Sequence, residues 1–338
     1  FHDETFADDG KTFVATYMES TTGDTNTLNY VNLNSSSKQI TWGDFACEQY
    51  GDASVAFKEI NDSYDVITID YVVSHVTDSG ETEYYNVEDY FRLRPTDTRM
   101  YVLNYERTMN QIFNSENSFA KDPTNIMLGI RDDSVEYKTN EAENVVAFVQ
   151  QGDLFSYNQT NNELTKVFSF RSPEGIDIRE NWNQHDIKIV SVDEAGSIDF
   201  IVYGYMNRGN HEGEVGTCVY HYDGLAHTIE EEAFIPSRSS YEVLKAEMGK
   251  LLYVNENGIL YLMFEGNVYE IKLDSLKVEK IVKNLEAGCY ATSYDNQYFS
   301  WVDVDSQYST TELSVMNLKT KEVIKINKGD DQYLRPLG

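Results

Sequence analysis

Cysteine is scarce in this chain, three residues in 338, and the three lie far apart. An odd number without paired spacing fits neither a disulfide framework nor a zinc site. Cys218 and Cys289 fall in strand-like runs (TCVYHY and CYATSY), where cysteine acts as a small buried hydrophobe; Cys47 lies apart from both. Basic residues are also few, 27 Lys and Arg against 57 Asp and Glu, which leaves a formal net charge of -30. A field of that sign repels phosphate backbones and anionic lipid, so nucleic acid and membrane surfaces are poor partners and none is expected, while cations, cationic peptides and neutral ligands stay open. No apolar run reaches the length of a transmembrane helix, so direct membrane insertion is not expected, and no signal peptide is present. The chain starts at Phe1 and ends in LRPLG, which reads as a piece of a longer protein. Chemistry-bearing motifs are missing as well. There is no G-x-S-x-G elbow, phosphate loop, dinucleotide fingerprint, HExxH or EF-hand loop, and the expectation is no catalytic residue, no metal and no cofactor.

What the chain has is aromatic residues and a repeat. Twenty-five Tyr and 16 Phe favour strands, where a flat ring packs on a pleated surface. Five β-branched and aromatic runs resemble one another: TFVATYM (12–18), NVVAFVQ (144–150), FIVYGYM (200–206), GILYLMF (258–264) and YFSWVDV (298–304). A polar turn precedes each (DDGK, NEAE, DEAGS, NENG, YDNQ), built from residues that tolerate left-handed backbone. Upstream lies another strand, as in DIKIVSV (186–192), and downstream a hairpin with a polar tip, as in NVYEIKLDSLKVEKIV. The unit is therefore strand, turn, strand, loop, strand, turn, strand. Four-stranded antiparallel units about 40–50 residues apart are the signature of an all-β propeller, because each unit exposes two apolar faces that only stacking can bury. A β-sandwich or a pair of barrels would not repeat that unit along most of the chain.

The spacing predicts one propeller domain over 1–338, seven-bladed, with six or eight blades as alternatives. Its blades fall at 2–42, 54–94, 135–170, 186–235, 250–283 and 289–327, with an irregular stretch at 95–134. Within that stretch Val102, Tyr105, Met109 and Ile112 or Phe113 follow helical spacing, predicting a helical insert near 98–114 bounded by Pro95 and Asn117. The closing QYLRPLG reads as a strand that opens a further unit or completes the N-terminal blade.

The run YATSYDNQYFSWVDVDSQYSTTELSVMNLKTKEVIKI resembles blades of the TolB-like and dipeptidyl-peptidase-like propeller group, and the likeness extends over about five units. The remainder resembles secreted or lipid-anchored proteins of Gram-positive bacteria. The resemblance implies the propeller fold and an extracellular or cell-surface-anchored location. It leaves activity open, since such propellers serve as peptidase gates, interaction modules and surface proteins.

One stretch stands outside the repeat. After Met206 the loop reads Asn207, Arg208, Gly209, Asn210, His211, Glu212, Gly213, and Arg179, Trp182 and His185 lie on the approach to the same blade. Glycines beside Arg, His and Glu bring backbone and donors close to a ligand, so Arg179, Trp182, His185, Asn207, Arg208, His211 and Glu212 are the candidate ligand-binding residues. The competing reading is that long loops need glycine to turn and that Arg and Glu satisfy one another. His221 and His227 flank a YDGLA tip without a third ligand, and Asp303, Asp305 and Glu312 lack the glycine of a calcium loop. The expected function is non-catalytic binding of a protein or glycan. Its rivals are a substrate-gating propeller of a larger prolyl-oligopeptidase-like hydrolase, and a glycosidase or lyase using carboxylates in the central funnel.

Overall fold

The computed structural model describes residues 7–19, 27–115, 117, 120–122, 125–129, 135–171, 179, 182–255, 257–273, 275, 277–304, 310–327 and 336. Where the sequence predicts a single domain, the chain forms two compact units, Phe1–Val135 and Glu136–Gly338.

The first unit holds α1 (Ala7–Tyr17), β1 (Tyr30–Asn32), α2 (Ser37–Ile40), β2 (Glu48–Ile60), β3 (Asp65–Val76), β4 (Thr82–Pro95), β5 (Met100–Ile112), β6 (Ala120–Asp122) and β7 (Asn125–Ile126). Five of these strands form one antiparallel sheet in the order β1-β5-β4-β3-β2, and β6 and β7 pair separately. Three expectations are corrected here. The run at 12–18 lies mostly in α1, not in a strand. Its buried Val14 takes the Met18 amide on its carbonyl, and the Phe13 and Tyr17 rings meet one turn apart at 4.9 Å. The blade at 2–42 is accordingly replaced by α1, β1 and α2, and strands 54–94 belong to a five-stranded sheet instead of a four-stranded blade.

The helix near 98–114 is strand β5. Tyr105 and Met109 are four apart, and four is even, so the pair satisfies a strand period as well as a helical one. Arg107 between them decides the matter. It is fully buried on the same face, where its guanidinium donates to the Ile40 and Gln39 carbonyls at 3.0 and 2.7 Å and lies 3.9 Å over the Trp42 ring. A cation against the last carbonyls of α2 is well placed electrostatically, and α2 is closed at its start by a Ser36–Gln39 capping box. Asp89, opposite Arg107, accepts from the Tyr71 and Tyr105 hydroxyls at 2.8 Å each.

The second unit is a succession of four-stranded antiparallel sheets, and it gives the chain its β-propeller fold class. The first blade is β8 (Tyr137–Thr139), β9 (Val145–Gln150), β10 (Asp153–Asn158) and β11 (Glu163–Phe168). The second is β12 (His185–Val192), β13 (Ile198–Tyr205), β14 (Val215–Asp223) and β15 (Thr228–Pro236). After α3 (Tyr241–Glu247) come β16 (Leu252–Val254), β17 (Ile259–Phe264), β18 (Asn267–Lys272) and β19 (Lys277–Val282). The fourth blade is β20 (Tyr290–Thr292), β21 (Tyr298–Val304), β22 (Thr310–Asn317) and β23 (Val323–Asn327). The terminal QYLRPLG lies outside the described residues apart from Pro336.

Period-2 alternation explains the stacking. Along β13, Phe200 and Val202 join a cluster with Ala147 and Leu154 of the first blade, while Ile201 and Tyr203 join one with Leu260 and Leu262 of the third. Along β17, Tyr261 and Met263 face away from that second cluster, toward Phe299 and Met316 of the fourth blade. β13 and β17 are therefore apolar on both faces, and the neighbouring blades cover them.

The turns repeat as closely as the strands. Between the first two strands of each blade a polar residue bonds backbone amides: Asn140 those of Asn144 and Val145, Asp193 those of Ala195 and Ser197, Asn255 those of Asn257 and Ile259, Ser293 that of Tyr298. At the outer hairpins Asn158, Asp223 and Asn317 each accept two amides, and the residue four further on (Asn162, His227, Lys321) has positive φ. Such side-chain turns let a hairpin reverse without glycine at the positive-φ position.

Candidate functional site

The loop between β13 and β14 is braced from within. Met206 donates its amide to the Glu214 carbonyl at 2.9 Å and accepts from Gly213 at 3.0 Å, closing the loop at its base. Gly209 and Gly213 sit at φ +95° and +90° with open space where a Cβ would be, so backbone conformation and not crowding requires glycine there. Asn207 is 1% exposed, and its amide donates to the carbonyls of Arg179 and Trp182 at 2.8 and 2.7 Å. One buried side chain thereby fastens the segment entering β12 to the loop leaving β13.

That fastening brings the sequence candidates together in part. Arg179 meets Glu212 at 2.6 Å, an exposed pair of small energetic weight. Trp182 is 44% exposed and turns its ring edge to Tyr205 at 6.4 Å. His211 lies flat on Phe234 with ring centroids 3.7 Å apart, its Nε2 2.9 Å from Glu231 and its Nδ1 3.4 Å from Glu214. Asn210 donates to the other Glu231 oxygen at 3.2 Å. Arg208 is partly buried. His211 and Glu212 thus serve largely to hold the loop, with Arg179 of the neighbouring segment, and the indole of Trp182 is what this surface presents.

His185 does not join them. It is buried between the first and second blades, edge-on to Phe170 at 4.8 Å and with Nε2 3.4 Å from the Gly152 carbonyl. A Cβ on Gly152 would lie 2.7 Å from that nitrogen, so glycine is needed for the approach. Burial, with the Arg171 charge beside it, pulls His185 below the usual histidine range and keeps it neutral. It packs the blades and faces no solvent.

A second polar group was not visible in the sequence because it runs across strands. His221 Nδ1 lies 2.7 Å from Asp199, its cross-strand partner, and Ser191 donates to the other Asp199 oxygen at 2.7 Å. Burial lowers His221, but the hydrogen bond to Asp199 together with the charges of Asp199, Glu232 and Asp223 outweighs it, and the net shift is upward. Burial and the Asp199 charge push Glu232 up to about 7. His227, close to His221 in sequence, bonds instead to the Tyr222 hydroxyl at 2.7 Å. Among the described residues no three His, Cys, Asp or Glu side chains are placed to hold a metal ion. The Asp303 side chain and residue 305 lie outside the described residues. Cys47 and Cys218 are free, buried thiols, pushed by burial up to about 11 and about 12, and so are poor nucleophiles. No helix among the described residues is long and apolar enough to cross a membrane.

No protein family and no curated protein matches the chain. Among solved structures it is similar to the tricorn protease, at 10% identity and a TM-score of 0.34 over 80% of this chain and 31% of that one. It is similar to dipeptidyl peptidase 4 of Porphyromonas gingivalis at 8% identity and a TM-score of 0.34, covering 77% of this chain and 38% of that one. An oligogalacturonate lyase of Vibrio parahaemolyticus shares 10% identity at a TM-score of 0.28, over 83% and 87% of the two chains. The chain thus spans about a third of the length of the two peptidases, and at such identities the likeness assigns it no activity.

Proposed function

We propose that this chain is a non-catalytic, extracellular binding propeller that meets a protein or glycan ligand at the Trp182 surface of its second blade. The supporting observation is the pairing of an exposed indole with a backbone that cannot move freely beneath it. Asn207 holds the Trp182 carbonyl, so little backbone entropy is lost when a ligand docks on the ring. Aromatic side chains held this way supply much contact area for few lost rotamers, and they dominate the energetics of binding surfaces. The net charge of -30 directs the search toward neutral and cationic ligands.

The test is a panel of neutral and cationic polysaccharides and peptides followed by tryptophan fluorescence. Trp42 is buried and Trp301 half-buried, so the 44% exposed Trp182 dominates acrylamide quenching. A true ligand protects Trp182 from quencher, and Trp182→Ala abolishes its binding while the thermal transition stays in place. A ligand that binds Trp182→Ala as well as the parent chain, or turnover of any panel member, overturns the proposal.

A further inference from the structure

The sheet of the first unit ends in a strand, β2, whose outer edge pairs with no other strand among the described residues. β2 is 13 residues long and pairs with β3 on one side only. It exposes large apolar side chains along its length: Tyr50 at 52%, Val55 and Phe57 at 60% each, and Ile60 at 71%. Edge strands are ordinarily blunted by shortness, proline or charge, because their unpaired N–H and C=O groups template further pairing. Here Gly51, at φ +74°, lies in a bulge that interrupts the edge, but Ser54 to Phe57 run in unbroken register with Asp70 to Ile67.

The two faces flanking that stretch differ. Val55 and Phe57 share a face with Ile69 and Ile67 through direct cross-strand pairs, an apolar strip. Ser54 lies on the opposite face, followed across the sheet by Asp70 and then Glu88. The two carboxylates stand directly opposite one another in the register, an arrangement that is unfavourable without a nearby cation. Burial raises both Asp70 and Glu88, the two carboxyls share a hydrogen bond, and Lys58 is the cation that opposes the rise at each.

We propose that the open edge of β2 takes up an extended segment of another polypeptide, alternately apolar and basic, as a sixth strand of this sheet. Its backbone pairs with residues 54–57. Its apolar side chains extend the Val55–Phe57 strip, and a Lys or Arg opposite Ser54 reaches toward Asp70. A second copy of this chain is the poorer occupant. Pairing β2 with β2 would bring together two molecules that each carry a charge of -30. The proposal does not depend on the Trp182 surface.

The probe is an octapeptide alternating valine and lysine, titrated into the whole protein by calorimetry. Controls are a valine–glutamate octapeptide and a valine–lysine peptide with proline at its centre, which keeps the charge but cannot pair. Expected are saturable binding of the first peptide alone, weakening with salt, and a loss of about tenfold or more in affinity on joint Val55→Lys and Phe57→Lys replacement. Equal binding of the proline peptide reduces the effect to bulk charge and overturns the proposal. So does binding unchanged by the double replacement. Two measurements on the parent protein decide independently of whether that variant folds. Sedimentation as a dimer, or β2 amides as protected from hydrogen exchange as those of β4, would show the edge already occupied by a second copy or by the chain itself.

Discussion

Asn255 joins two blades through one side chain, and its replacement separates the turn from the seam. The residue is 4% exposed. Its Oδ1 accepts the Asn257 and Ile259 amides at 3.0 and 3.1 Å, and its Nδ2 donates at 3.1 Å to the Leu318 carbonyl in the fourth blade. Asp193 occupies the equivalent turn of the second blade, accepts two amides in the same way and is exposed. Each bond is worth about 1 kcal/mol net, so Asn255→Ala, which loses three, is expected to cost about 3 kcal/mol. Asn255→Asp keeps both accepted amides, loses the donated bond and sets a carboxylate against a carbonyl, for a cost of about 2–4 kcal/mol. Asp193→Asn keeps its turn in water and should change stability by less than about 0.5 kcal/mol. The assay is urea unfolding of the three variants beside the parent, with midpoints and slopes both read, because a changed slope would signal that the blades no longer unfold together. If Asn255→Asp proves no more costly than Asp193→Asn, the blade-to-blade bond does not stabilise the seam and the reasoning fails.

Two further outcomes follow from the second blade. Phe200 is fully buried among Phe168, Tyr220 and the first-blade cluster, so Phe200→Ala should cost about 3–5 kcal/mol by thermal or urea unfolding; a loss below about 1 kcal/mol would remove it from the core. Glu232 rises from 4.5 to about 7, so the folded state holds a proton that the unfolded state releases, and stability falls as pH climbs between those values. The raised His221 acts in the same direction, its stabilisation being complete below 6.5 and lost as pH passes its folded value. Glu232→Gln should therefore flatten the decline in unfolding free energy between pH 5 and 8, read by urea unfolding, by roughly 1 kcal/mol once solvent screening is allowed for. An unchanged slope in the variant would show that Glu232 is ionised throughout.

The blades of the second unit were legible because their rules are local. GILYLMF reads as a strand buried on both faces, and β17 is one, since every second side chain meets a different neighbour. The turn residues Asn140, Asp193 and Asn255 could be picked out because an Asn or Asp that caps its own turn acts within a few residues of itself. The loop from Asn207 to Gly213 was visible by its composition. That Asn207 would be buried and hold Trp182, while His185 would retire between blades, was not, because those partners come from other segments.

The first unit marks the limit of local reading. TFVATYM has the composition of a strand and forms most of α1, because a buried Val14 gives a helix its apolar side. Tyr105 and Met109 are compatible with helix and strand alike, and the choice fell to Arg107, which any sequence pattern places outside. Only tertiary structure supplies the carbonyls of Gln39 and Ile40 and the ring of Trp42 that make its burial tolerable. The sequence by itself determined the repeating strand, its turns and the sign of the surrounding field, all set by neighbours along the chain. Tertiary structure alone decided where charge could be buried, which indole faced outward and which sheet edge was left open, since each depends on atoms that the sequence places far apart.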